Sequence, residues 1–167
     1  MTRVLVLIGS ESDAPIMRGA LDVLAELGVS ARLTVASAHR SPARVERIVD
    51  QAVRDGVQVF IAAAGAAAHL AGVVASRTTR PVIGVPIDSS PLGGFDALLS
   101  TVQMPPGVPV ATVSVGKPGA INAAVLAAQI LALSDGALAG ALEQYKRTLA
   151  NKVEEAARKV EAELEQG

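Results

Sequence analysis

The stretch "RVLVLIGSESD", residues 3–13, decides the fold class that the sequence predicts. Its apolar run over 3–8 has the length of one strand, and such a run is typical of a parallel strand covered on both faces. The polar turn "GSESD" (9–13) follows, and Asp13 and Pro15 suit the cap and the first turn of a helix. A strand that passes directly into a helix predicts a βα unit.

The same alternation continues along the chain. Further strands are predicted over 31–36, 57–63, 81–86 and 108–116. A helix that begins near Ser41 and Pro42 is predicted after the second strand. Helices over 66–77 and 120–133 are predicted after the third and fifth strands. Only the segment 87–109 breaks this rhythm, because it is rich in glycine and proline around one short helical piece. Strands that alternate with helices favour right-handed crossovers, so we predict an α/β fold with a doubly wound parallel sheet.

The composition of the chain changes after Ser134. From there a single amphipathic helix is predicted, with one apolar stripe formed by Leu149, Val153, Ala156, Val160 and Leu164. We therefore expect one domain over 1–167, made of an α/β core (1–133) and a C-terminal helical extension (134–167). The stripe can pack on its own domain or on a neighbouring subunit.

Composition excludes several classes of function. The net charge is -1 and aromatic residues make up 2%, so neither a basic surface nor a set of stacking rings is available for nucleic acid. The absence of cysteine excludes thiol chemistry. The apolar run near the N-terminus is too short for a membrane span or signal peptide, so a cytoplasmic protein with no membrane partner is expected. A mean hydropathy of +0.41 indicates either surface buried between subunits or an alanine-rich interior.

Unusual polar residues follow the first three predicted strands, in "GSESD" (9–13), "SAHR" (37–40) and "AAGAAAH" (63–69). In an open parallel sheet, ligands bind at the edge where the strands end. The hydroxyls and free amides of "GSESD" suit a phosphate, whereas its carboxylate suits the hydroxyls of a ribose. The alternative interpretation of this motif is a capped turn without a ligand.

The other two loops carry the only histidines of the chain. Arg40 can bind a phosphate or carboxylate through two parallel hydrogen bonds, and His39 can exchange a proton near neutral pH. The alternative interpretation is that His39 and Arg40 are an exposed pair on the surface without a functional role. On local grounds His69 is interpreted as a structural histidine. Gly65 and its alanine neighbours leave room for a planar ligand or for close packing, and no metal-binding, dinucleotide or nucleophile-elbow motif is present.

Several spaced motifs, in this order, resemble the PurE family of purine biosynthesis: "VLIGSESD", "ASAHRSP", "AAGAAAHLAG", "LLSTVQMPPGVPVATV" and "INAAVLAAQIL". The family includes N5-carboxyaminoimidazole ribonucleotide mutases, whose type this chain resembles more, and aminoimidazole ribonucleotide carboxylases. The resemblance implies a flavodoxin-like three-layer fold, a homo-octamer, a small-molecule ribonucleotide substrate and no metal or organic cofactor.

The resemblance also implies roles for individual residues. His39 would transfer the proton, and the ribonucleotide would be bound by Ser10, Ser12, Asp13, Ser37, Ala38, Arg40, Gly65, Ala68, His69 and Leu70. Of these, Asp13 would bind the ribose hydroxyls, Arg40 would bind the phosphate, and His69 would line the pocket for the base and carboxylate.

The sequence departs from the common family pattern in the third loop. Ala63 and Ala66 stand where the family often has glycine, and Ala71 stands where it often has proline. An alanine at a position that requires a positive φ would be strained.

Three functions remain open at this point. The first is the mutase, which moves a carboxylate from N5 to C4 of the aminoimidazole. The second is the carboxylase, which uses free carbon dioxide. The third is a flavodoxin-like module that binds a nucleotide without turning it over.

Overall fold

The computed structural model describes residues 1–165 and contains one parallel sheet of five strands in the order β2-β1-β3-β4-β5. The strands are β1 (Val4–Ile8), β2 (Ala31–Val35), β3 (Val59–Gly65), β4 (Val82–Ile87) and β5 (Ala111–Thr112). The helices are a 3₁₀ turn (Glu11–Asp13), α1 (Ala14–Glu26), α2 (Pro42–Arg54), α3 (Leu70–Ala75), α4 (Phe95–Val102), α5 (Gly116–Ala132) and α6 (Gly136–Leu164). This strand order is that of flavodoxin-like folds, so the predicted fold class is confirmed.

The sequence of β1 explains why helices cover both faces of the sheet. All five of its residues are completely buried. Successive side chains of a strand point to opposite faces, and accordingly Val4, Val6 and Ile8 join the core under α1 and α5. Leu5 and Leu7 join the second core, under α2 and α3. One short apolar run therefore contributes to two hydrophobic cores and holds three layers together.

Most predicted bounds agree with the structure to within two residues, and three elements differ more. Strand β5 has only two residues instead of the nine predicted over 108–116, because the prolines before it cannot donate ladder hydrogen bonds. Helix α5 begins at Gly116, four residues earlier than predicted, with Pro118 in its first turn. Helix α3 begins at Leu70 instead of residue 66, because the preceding loop contains Ala66 in a left-handed conformation.

The C-terminal helix α6 leaves its own domain after about three turns. Its first turns pack on the core through Leu138, Leu142 and Tyr145. The apolar stripe beyond them is exposed, to 67% at Val153 and 57% at Val160. The stripe is therefore not covered by its own domain. Gln166 and Gly167, the last two residues of the predicted extension, lie outside the described residues.

Asp135 fixes the start of α6 to the sheet. Its carboxylate accepts a hydrogen bond from the backbone N–H of Leu138 (3.1 Å) and forms an ion pair with Arg3 (2.7 Å), just before β1. The hydrogen bond from Arg3 is the main cause that lowers the pKa of Asp135 below its ordinary value. Over residues 1–165, none of the helices has the length and apolar character that crossing a membrane requires.

Candidate active site

A cavity of about 440 Å³ opens at the carboxyl ends of β1, β2, β3 and β4. It lies over the point where the strand order reverses between β1 and β3, which is where flavodoxin-like folds bind their ligands. Fourteen residues line it: Gly9, Ser10, Ser12, Asp13, Ser37, Ala38, His39, Arg40, Ala64, Gly65, Ala67, His69, Leu70 and Ser89. The structure thus brings together every site residue predicted from the sequence except Ala68, which belongs to the third loop but is buried and does not line the cavity.

The first loop is organised around Ser10. Its hydroxyl accepts hydrogen bonds from the backbone N–H of Ser12 (3.4 Å) and from the Ser12 hydroxyl (2.9 Å). In return, the carboxylate of Asp13 accepts the backbone N–H of Ser10 (3.2 Å), so the two residues form a capping box around the 3₁₀ turn. Asp13 occupies the N-cap position of α1, as predicted, but its side chain makes no cap hydrogen bond to that helix and instead belongs to the preceding 3₁₀ turn.

Asp13 is an unusual carboxyl group because it is almost entirely buried, with 4% of its surface exposed. Burial is the main cause that raises the pKa of Asp13 above its ordinary value of 3.8, and hydrogen bonds from Ser10 and Ser12 oppose this rise. A buried carboxylate whose orientation is fixed by its own loop is well suited to accept hydrogen bonds from hydroxyl groups of a ligand.

Arg40 connects the second loop to the first. Its guanidinium donates to the backbone carbonyl of Gly9 (3.2 Å) and to the hydroxyl of Ser37 (3.4 Å). No carboxylate within residues 1–165 forms an ion pair with it. An exposed cation beside three serine hydroxyls can hold an anion such as a phosphate.

The two histidines of the chain meet across the cavity. Nε2 of His39, from the second loop, lies 2.7 Å from Nδ1 of His69, from the third loop, and the rings are nearly perpendicular. One of these two nitrogens must be unprotonated to accept the hydrogen bond. His69 is therefore hydrogen-bonded to His39 at the wall of the cavity, and the two histidines form a linked pair.

The third loop combines close packing with backbone strain. Ala66 has a φ of 51°, the one positive φ among the non-glycine residues that the structure describes. Ala66 therefore adopts the left-handed conformation in which an alanine is expected to be strained. Gly65 precedes it, and a β-carbon at that position would overlap the Ser89 side chain.

Four cavity residues were not predicted as site residues: Gly9, Ala64 and Ala67, which lie within the three loops, and Ser89, which lies outside them. Ser89 follows β4 by two residues and reaches the cavity because β4 pairs with β3, with Ile87 beside Gly65. Its segment "IDSSP" directly follows the strand predicted over 81–86, and this position at a strand end is a signal that could have pointed to it. Within residues 1–165, no group of three or more histidine, aspartate or glutamate side chains is arranged to hold a metal ion.

Comparison with known proteins gives consistent relatives. The family model described as AIR carboxylase matches residues 3–152. A protein of Methanocaldococcus jannaschii named N5-carboxyaminoimidazole ribonucleotide mutase is 53% identical, over 90% of this chain and 92% of its own. A protein of the same name from Bacillus subtilis is 51% identical, over 84% of this chain and 87% of its own. Another from Escherichia coli is 45% identical, over 90% of this chain and 89% of its own.

Solved structures agree with these relatives. The crystal structure of Treponema denticola PurE superposes with a TM-score of 0.85 at 29% identity, covering 93% of this chain and 96% of its own. A 3-dehydroquinate dehydratase-like protein of Bifidobacterium longum, at 17% identity and a TM-score of 0.52, shares only the fold, over 79% of this chain and 99% of its own. Because the family model spans most of the sequence and several relatives exceed 45% identity over most of it, the chain belongs to the AIR carboxylase family, the PurE family that its motifs resemble.

Proposed function

We propose that this protein is an N5-carboxyaminoimidazole ribonucleotide mutase, which converts its substrate to 4-carboxy-5-aminoimidazole ribonucleotide during purine biosynthesis. The observation that carries the proposal is the pairing of His39 with His69 beside an unpaired Arg40 in one cavity. The names of the relatives at 45 to 53% identity support the same substrate.

The cavity matches the parts of a ribonucleotide. Arg40, Ser10, Ser12 and Ser37 offer a cation and hydroxyls for the 5-phosphate. The buried carboxylate of Asp13 lies next to them and accepts hydrogen bonds from the ribose hydroxyls. Ala38, Gly65 and Leu70 contribute small or apolar walls, against which a flat imidazole ring can pack.

His39 is the proposed proton-transfer residue. In the first step the N5–carboxyl bond breaks, carbon dioxide is released within the site, and N5 receives a proton. In the second step C4 of the electron-rich ring attacks the carbon dioxide and then loses its own proton. The net change moves one carboxylate from N5 to C4 and one proton from C4 to N5, and a single histidine can donate the first proton and accept the second.

His69 positions His39 in this scheme. Its Nδ1 is hydrogen-bonded to Nε2 of His39 across two loops that are 30 residues apart in sequence. The bond fixes the orientation of the His39 ring, which is the role of the second group in many acid–base pairs. Aminoimidazole chemistry of this kind draws its reactivity from the substrate ring, and the mechanism assigns no step to a metal or cofactor.

The reaction also requires that carbon dioxide stay near C4, yet both histidines are exposed in the single chain. A homo-oligomer in which a second copy covers the cavity would provide this closure, and the resemblance predicts an octamer. Two exposed apolar surfaces support assembly. One lies on α4 (Phe95, 63% exposed, and Val102, 47%), and the other is the stripe on α6. A cytoplasmic location remains a prediction from the sequence.

A carboxylase that uses free carbon dioxide is the second candidate, since the matching family model is described as AIR carboxylase. The two activities are separated by comparing turnover of the N5-carbamate with turnover of aminoimidazole ribonucleotide plus bicarbonate. We expect rapid turnover of the carbamate only. Efficient carboxylation from bicarbonate would favour the carboxylase, and binding without turnover would favour a nucleotide-binding module.

His39→Asn tests the proposed catalytic role. We expect a loss of turnover of roughly 10²–10⁴-fold with ribonucleotide binding retained, because asparagine keeps polarity but cannot exchange the proton. Ser41→Ala, two residues along the same loop, is the control, because the Ser41 hydroxyl does not cap α2. A His39→Asn enzyme with the wild-type rate would rule out the assignment.

A further inference from the structure

Ser89 has a distinct position in the cavity. It stands two residues past the end of β4, and its side chain lies directly over the backbone of Gly65. A β-carbon at residue 65 would occupy the same space as the Ser89 hydroxyl, so the glycine makes room for this hydroxyl. The arrangement holds the hydroxyl against the wall of the cavity formed by the third loop.

The hydroxyl of Ser89 is free to bind a ligand. The neighbouring Ser90 accepts a hydrogen bond from the backbone N–H of Leu92 (3.1 Å), whereas the Ser89 hydroxyl has no hydrogen-bond partner within residues 1–165. The other cavity residues that follow β3 and β4 are alanine, glycine and leucine, apart from His69. Nδ1 of His69 is engaged with His39. Among the described residues on this side of the cavity, Ser89 provides the one free hydroxyl.

The sheet order places Ser89 far from Arg40. Arg40 follows β2 and Ser89 follows β4, with β1 and β3 between them. Adjacent strands are about 4.8 Å apart, so three spacings separate these strand ends by about 14 Å. A ribonucleotide whose phosphate is held beside Arg40 therefore directs its base toward His69 and Ser89.

We infer that the Ser89 hydroxyl donates a hydrogen bond to the carboxylate that the aminoimidazole carries, and that it thereby distinguishes carboxylated from uncarboxylated ribonucleotide. The inference rests on the proposed function, because it takes the carboxylate from that reaction. The carboxylate on the aminoimidazole carries a negative charge, and Arg40, which would bind the phosphate, lies at the opposite end of the cavity from Ser89. A hydrogen bond to a charged group corresponds to a roughly ten- to hundred-fold change in binding.

The test compares Ser89→Ala with the wild-type enzyme in one steady-state assay. The KM, kcat and kcat/KM for the N5-carbamate are measured together with the inhibition constant of aminoimidazole ribonucleotide, which lacks the carboxylate. We expect kcat/KM to fall about ten-fold or more, mainly through a higher KM, while the inhibition constant stays close to the wild-type value. Ser90→Ala is the matched control, since it alters the same turn but faces another partner.

Two results would overturn the inference. In the first, Ser89→Ala leaves both constants unchanged. In the second, it weakens both ligands equally, which would mean that Ser89 shapes the cavity without recognising the carboxylate. Ser89→Gly repeats the measurement if the alanine variant does not fold, and it must give the same selective loss. A wild-type protein that does not turn over the carbamate would contradict the proposed function instead, and it would be recognised before any variant is compared.

Discussion

Replacing Ala66 with glycine should stabilise the protein, although glycine usually destabilises. Ala66 has a φ of 51° and its side chain is exposed, so the substitution removes strain without removing a buried contact. A left-handed conformation costs an L-residue about 1–2 kcal/mol. Glycine avoids that cost but loses about 0.5–1 kcal/mol through the greater freedom of its unfolded chain. The net gain in the free energy of unfolding is about 0–1.5 kcal/mol, and the mid-range values leave about 0.75 kcal/mol.

Ala63→Gly is the matched control, because it makes the same chemical change three residues earlier. Ala63 is fully buried in β3 and its φ is not positive. Its substitution loses a buried methyl group, about 0.8 kcal/mol, in addition to the entropic cost of about 0.5–1 kcal/mol. The two variants should therefore change stability in opposite directions.

Thermal unfolding of the purified protein measures both effects. For a chain of this size 1 kcal/mol corresponds to about 2–4 °C in Tm, so we expect Ala66→Gly to raise Tm by about 1–4 °C. Ala63→Gly should lower Tm by about 3–7 °C. A decrease in Tm for Ala66→Gly comparable to that of Ala63→Gly would show that the left-handed alanine stores no strain.

The remaining predictions concern the buried carboxyl group and the C-terminal helix. A carboxyl whose pKa is raised on folding stabilises the protein at low pH, and this contribution is lost as the pH rises through the folded-state pKa. Asp13→Asn still accepts the Ser10 N–H, and it should therefore raise Tm at neutral pH. Below pH 3.8 the difference in Tm between the variant and the wild type should disappear. A higher Tm of the variant that persists in acid would contradict this reasoning. Val153→Glu should reduce the oligomeric mass in light scattering and the activity with it, because burying a valine contributes about 1.5–3 kcal/mol, whereas Asn151→Glu on the opposite helix face should not. Unchanged mass for Val153→Glu would show that the stripe is not an interface.

Hydrophobic periodicity was sufficient to predict the layers of this fold. The runs around β1 and β3 are apolar on both faces, and only a covered parallel sheet accommodates them. The loops at the carboxyl ends of these strands were therefore placed correctly, and with them almost all of the cavity. What the sequence could not determine depends on contacts between distant segments.

Three features illustrate this limit. The contact between His39 and His69 depends on how far each loop reaches over β1, which strand patterns do not specify. Ser89 enters the cavity only because β4 lies beside β3 and residue 65 is a glycine. Asp13 suits a helix cap by residue type, but its carboxylate accepts the backbone N–H of Ser10, because Ser10 begins a 3₁₀ turn that residue types alone do not indicate.

The shortness of β5 limits how the sheet can be extended. A long, unpaired outer strand would offer a row of backbone N–H and C=O groups to a strand from another molecule. Here that outer edge has only Ala111 and Thr112 in strand conformation, and prolines precede them. Strand addition at this edge would gain few hydrogen bonds, so the chain is protected there against open-ended fibre growth despite its hydrophobic composition. At this edge, contacts between copies are thereby left to side chains, whose shape can restrict them to a closed assembly.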